Sequence, residues 1–218
     1  MRCRNDRRVR SADLRGRAVR AGPRRRRPTH GIGRGNDAWR YDTDPEAKYD
    51  SSRRNHMLEH LRFVYEFNLR HVRYFVEDLA PEQCVRQPNG LINHPAWQIG
   101  HLALAADLAA FELGADQTFP PEWAERFFPG AAITAEVGDY PAMSELVDQL
   151  ATQHERVSPM LATATATQLA APCRMEMLHR RFSRVGDFIA YITSAHEGVH
   201  IGQIACWRRE MGIPLADL

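Results

Sequence analysis

Ala195-His196-Glu197-Gly198-Val199-His200-Ile201-Gly202-Gln203 is the stretch on which the fold and the chemistry turn. Apolar residues around it recur at helical spacing, so it reads as helix. With about 3.6 residues per turn, histidines four apart share one face, one turn from each other. Two imidazoles so placed can grip one metal ion, and a working site needs at least one further ligand. The source of that ligand depends on what the rest of the chain builds.

The helix carrying this stretch is predicted over residues 185–211. Its inner face is read as Phe188, Ile189, Ile192, His196, Val199, Gln203 and Trp207, and Gly212 followed by Pro214 ends it. Three earlier segments have the same character. From Met57, the positions Leu58, Leu61, Tyr65, Val72, Phe75 and Leu79 advance in steps of three and four, with Asn68 in the one polar slot. Asn68 is then either a satisfied core group or a group facing a polar pocket. After the turn signal Gln87-Pro88-Asn89-Gly90, a helix is predicted over residues 94–114, with Asn93 as its cap and Pro95 in its first turn. There Trp97, His101, Ala105 and Leu108 share a stripe, which turns His101 inward. A further helix is expected to start at a cap on Asp139, with apolar positions Met143, Leu146, Val147, Leu150, Val157 and Leu161. Its Glu145, Asp148, Gln149, Gln153 and Glu155 read as a solvated face. Residues 163–167 read as weakly structured, and 168–183 as a short helix and a turn.

Four long amphipathic segments without a strand pattern specify an all-α fold, a four-helix bundle. Residues 115–139 form a long connection between its second and third helices. Such connections tend to be functional. Trp123, Phe127 and Phe128 within it are read as a lid over a site, a plug at one end of the bundle or a subunit interface.

Charge divides the chain. Residues 1–56 carry 17 Lys+Arg against 7 Asp+Glu, and residues 57–218 carry 12 against 20. The first part lacks hydrophobic periodicity and contains Arg24-Arg25-Arg26-Arg27 between two prolines. It is expected to be a disordered Arg-rich extension, because it buries too little apolar surface to offset its ordering entropy. Met57 reads as the true start and residues 1–56 as a mistaken extension; only through that extension is nucleic acid an expected partner. The four cysteines are scattered, with no CxxC pair, which fits a reducing cytoplasm. No apolar run is long enough to span a bilayer.

The pair His196 and His200 admits three readings. His196-Glu197-Gly198-Val199-His200 matches HExxH, the helix of zinc proteases with glutamate as general base. Residue 203 is Gln and residue 206 is Cys, however, so the longer HExxHxxGxxH form is absent, and no strand pattern offers an edge for a peptide. A site without metal would leave ring nitrogens to be satisfied on an inner face. The third reading joins the pair to His101.

Here a resemblance becomes specific. Gly100-His101-Leu102, followed far downstream by His196-x-x-x-His200-Ile201-Gly202-Gln203, resembles the DinB-like superfamily over residues 57–218. Membership implies a four-helix bundle with a three-histidine metal site at His101, His196 and His200. Asn68 falls near where the family's first helix often carries Asn. Gln203 is then read as orienting a ligand, and Glu197 as a group just outside the ligand set. Three neutral imidazoles suit Zn²⁺, with Ni²⁺, Fe²⁺ or Co²⁺ as alternatives. The resemblance further implies a homodimer and a small-molecule substrate. The activity it implies is a metal-dependent thiol transferase or hydrolase acting on a small electrophile, with a low-molecular-weight thiol as co-substrate. The competing expectation is a non-catalytic stress-response protein with a structural or vestigial metal.

Overall fold

A computed structural model describes residues 51–214 of the chain. The readings for residues 1–50 lie outside the described residues. Residues 51–56, assigned from sequence to the extension, are helical: α1 spans Ser51–Val76. A helix can start before its apolar stripe does, because arginine propagates a helix well.

Among the described residues the structure is all-helical, without strands. After α1 come α2 (Pro81–Cys84), α3 (Pro95–Glu112), α4 (Pro121–Phe127), α5 (Met143–Thr163), α6 (Ala166–Ala170), α7 (Val185–Ala190) and α8 (Glu197–Glu210). A π-helical turn, Tyr191–His196, joins α7 to α8. The four long elements are therefore α1, α3, α5 and the continuous α7–π–α8 helix. α5 packs on both α1 and α3, and α8 packs across from it on the same two helices. Among the described residues no helix is long and apolar enough to cross a membrane.

The helix ends show where local chemistry overrides the sequence reading. The cap of α3 is His94, not Asn93: His94 Nδ1 accepts the Trp97 N–H at 3.2 Å, and the Asn93 carbonyl accepts from Gln98 instead. The cap of α5 is Ala142, not Asp139. Glu145 reaches back to accept the Ala142 N–H at 2.8 Å, while Asp139 is taken by the Thr134 hydroxyl at 2.6 Å. The end of α8 falls where glycine and proline place it. Gly212 has φ 67, and the Ile213 N–H donates to the Arg208 carbonyl, closing the helix in a Schellman-type cap.

Two apolar clusters make the core. One gathers Val72, Phe75, Trp97, Phe127, Leu146 and Ile204; the other gathers Tyr65, Ala109, Val157, Leu161, Phe188 and Ile189. Along α1, α5 and the continuous α7–π–α8 helix the switch from one cluster to the other comes at buried polar residues: Asn68, Gln153 with His154, and Glu197 with His200. On α3 it follows closely after His101. Gln153, read from sequence as solvated, is fully buried and donates to the Thr118 hydroxyl at 3.2 Å.

The connection after α3 is not an open loop. Asp107 on α3 is fully buried; one carboxylate oxygen accepts from the Thr118 N–H and from Arg156 of α5, at 2.8 and 2.7 Å. Arg156 also donates to the Asp116 carbonyl. With its start pinned, the connection brings α4 back onto α3, where the Phe127 ring lies against Gly100. A Cβ on Gly100 would overlap that ring. Alanine normally favours a helix interior over glycine by about 1 kcal/mol. At residue 100 the sign is expected to reverse: Gly100→Ala should destabilise by about 1–3 kcal/mol through overpacking, measured by urea denaturation.

Candidate metal centre

α3 supplies His101, and the π turn and α8 supply His196 and His200. One nitrogen of each ring lies within 4.8 Å of the others. His101 Nε2 and His196 Nε2 are 3.2 Å apart. Nitrogens sharing a tetrahedral zinc ion sit about 3.3 Å apart, given the usual Zn–N bond length. His101 and His200 are buried and His196 is half-buried.

The tautomers follow from the neighbours. His101 Nδ1 is 2.8 Å from the Phe127 carbonyl, which can only accept, so Nδ1 carries the proton and Nε2 offers its lone pair. His200 Nδ1 is 3.2 Å from Gln98 Oε1. The amide orientation of Gln98 is set by its Nε2, which donates to the Asn93 carbonyl at 2.9 Å. His200 Nδ1 therefore also carries its proton, leaving Nε2 free. The two rings are held in the form a metal needs by acceptors on their far sides, the usual outer-shell arrangement of ligating histidines. Trp97 stacks on His101 with ring centroids 4.8 Å apart, and Tyr191 lies beside His196 at 5.5 Å.

Electrostatics agree with neutral rings. Burial depresses the pKa of His101; burial and the neighbouring His101 lower His196 to about 4. Burial, then His101 and His196, lower His200 to about 3. Neutral imidazole is the ligating species. The donor set thus fits a divalent ion.

Next to the cluster lies a second buried polar group. Glu197 accepts from His154 Nε2 of α5 at 2.8 Å, and the two residues are 2% and 3% exposed. The His154 ring stacks flat on Tyr65 at 3.6 Å. Burial raises the Glu197 carboxyl above its ordinary value, while His154 and Asn68 pull it back. Asn68 Nδ2, Tyr65 Oη, His154 Nδ1 and Glu197 Oε2 make no hydrogen bond of normal geometry.

Set against the sequence reading, His101, His196 and His200 are brought together, and Glu197 and Asn68 meet beside them. Gln203 is exposed rather than facing the site, and Val199 is 54% exposed. The reason is the π turn, which inserts one residue and rotates everything after it. Phe127 is fully buried and contributes its carbonyl, Trp123 is half-buried against the same cluster, and Phe128 is 40% exposed. Sequence reasoning missed Gln98 and His154. Gln98 stands three before His101, a spacing that places both on one side of α3. His154 fills the polar slot in the series Leu146, Leu150, Val157 and Leu161, as Asn68 does on α1.

The histidines' depressed pKa values carry a stability consequence. On acidification the unfolded chain takes up protons first, so stability from neutral His200 is full above about pH 6.5 and is lost as pH falls toward about 3. Glu197, with its raised pKa, works in the opposite sense, so the comparison should be made between variants. The metal-free His200→Gln protein is expected to lose less stability than wild type between pH 6.5 and 4, read as the shift in urea midpoint.

No curated protein and no solved structure matches the chain. A family model described as the DinB superfamily matches residues 64–204, more than half the chain, and the matched span includes all three histidines and the four long helices' facing segments. The chain belongs to the DinB superfamily.

Proposed function

We propose that this chain is a metal-dependent enzyme acting on a small electrophilic molecule, by transfer of a low-molecular-weight thiol or by hydrolysis. The observation that carries the reading is the convergence of three neutral imidazoles, with nitrogens within 4.8 Å, in a chain of this superfamily. Three protein ligands are the number found in catalytic zinc sites, whereas structural sites use four. A divalent ion held there supplies Lewis acidity toward a thiol, a water or a carbonyl. The chain's own contribution is positioning. The Phe127 carbonyl and Gln98 fix the tautomers of His101 and His200, and Trp97 covers one face of His101. Zinc fits the all-imidazole set, with nickel, iron and cobalt as alternatives.

The protease reading of His196-Glu197-Gly198-Val199-His200 has no support in the geometry. Glu197 is engaged by His154 in the core, and among the described residues no strand offers an edge to a peptide. The free, scattered cysteines Cys84, Cys173 and Cys206 fit a reducing compartment.

The first test is metal content. Wild type reconstituted with Zn²⁺ or Ni²⁺ should retain about one ion per chain after desalting, and His101→Ala should retain little, measured by plasma mass spectrometry. Equal metal in the two proteins, or none in wild type, would remove the site. Loaded protein should then consume an electrophile such as a chlorinated aromatic faster with a thiol present than without one. Thiol-independent consumption points to hydrolysis instead.

A further inference from the structure

The helix that carries His196 and His200 is under two opposed demands. Its first part buries Val185, Phe188, Ile189 and Ile192. Continued as a regular α-helix, that face would run through residues 196, 199 and 203, burying Val199 and Gln203. The structure buries Thr193, Glu197, His200, Ile204 and Trp207 instead. The π turn Tyr191–His196 makes the difference, since one inserted residue turns the following helix by about 100°. Apolar patterning alone does not explain this choice: it brings Ile204 in and turns Gln203 out, but it also leaves Val199 in solvent and brings a glutamate into the core.

Beside Ile204 and the Arg208–Asp78 pair, the shifted phase gains the contact of Glu197 with His154, 2.8 Å across the bundle. His154 is held in turn by its flat stack on Tyr65, and Asn68 flanks the carboxylate. In the unshifted phase Glu197 would swing away from α5, and His200 would turn away from α3. The pairing and the aim of the two histidines are therefore one rotational state. Buried polar and ionic pairs are weak sources of stability, and their best-attested role is to specify register.

We propose that the buried His154–Glu197 pair is a positioning device: it selects the phase set by the π turn and thereby aims His196 and His200 at His101. The inference rests on the metal-centre reading above. Its parts are positioning residues, acting through the helix rather than on substrate.

The test uses the full chain, stripped of metal and titrated with Co²⁺, whose visible absorption reports ligand geometry. The deciding variant is Glu197→Met/His154→Leu, which removes both partners and so leaves no unpaired buried charge. It should fold, bind Co²⁺ at least tenfold more weakly than wild type and show an altered spectrum, in the range typical of lost outer-shell support. Glu197→Gln keeps an acceptor for His154 and should stay within threefold of wild type. Leu161→Ala, in the apolar cluster, should lower the melting temperature yet keep affinity and spectrum. Wild-type affinity and spectrum in the double variant would overturn the proposal, as would an equal loss in Leu161→Ala. A double variant that cannot fold marks the pair as a stability element and also counts against positioning. Wild type that binds no Co²⁺ sinks the metal centre itself, an outcome distinct from these.

Discussion

A polar layer cuts the apolar core in two, and every long helix contributes to it. α1 brings Asn68, α3 His101, α5 His154, and the last helix Glu197 and His200. Each buried polar atom left without a partner costs about 1–3 kcal/mol, and Tyr65 Oη and His154 Nδ1 lie beside the Glu197–His154 contact without one. A bundle optimised for stability alone would fill this level with leucine. Retaining imidazoles and carboxylate at one height of all four helices makes sense when the layer has a task. The apolar clusters on either side then serve as two clamps that hold the helices while the layer between them stays polar.

The site also depends on a segment outside the four long helices. Asp107 and Arg156 pin the start of the α3–α5 connection. Gly100 leaves room for the Phe127 ring, and the Trp97 indole donates to the Arg126 carbonyl at 3.0 Å, fastening the end of α4. The consequence is a single carbonyl delivered 2.8 Å from His101 Nδ1. A backbone acceptor suits this purpose because it is fixed by the chain path and cannot titrate. Residues that look like a lid in sequence thus act, in the case of Phe127, as a wedge that orients the His101 ring from behind.

Much of this was legible from residue spacing. The three-and-four pattern marks the long helices, and Gly100-His101 with His196-x-x-x-His200 marks the cluster, because both depend on periodicity that local geometry enforces. The polar slot at Asn68 was readable for the same reason, and so in principle was His154. What spacing cannot carry is a change of period inside a helix. Residues 185–211 look continuous, so a regular period carries their inner face to Val199 and Gln203, whereas a single π turn puts both in solvent. Gln98 was hidden differently: its role lies in the direction of an amide toward a helix 102 residues away. The caps at His94 and Ala142 are not legible in sequence because tertiary partners decide them: His94 is held by the Thr134 carbonyl, and Asp139 is drawn off by the Thr134 hydroxyl.

The same competition explains why HExxH misleads here. Two histidines one turn apart face a common direction on any helix, so the pattern fixes their relation to each other and nothing else. The glutamate between them lies about 100° from each neighbouring position and looks toward whatever stands on that side. In this bundle that side holds α5, and His154 is there to meet it. The carboxylate that would act on a water in a protease is instead held by His154, while the third histidine of the cluster arrives from α3. Function therefore follows from which helices flank the motif, and the phase of one helix decides which side of it each flank sees.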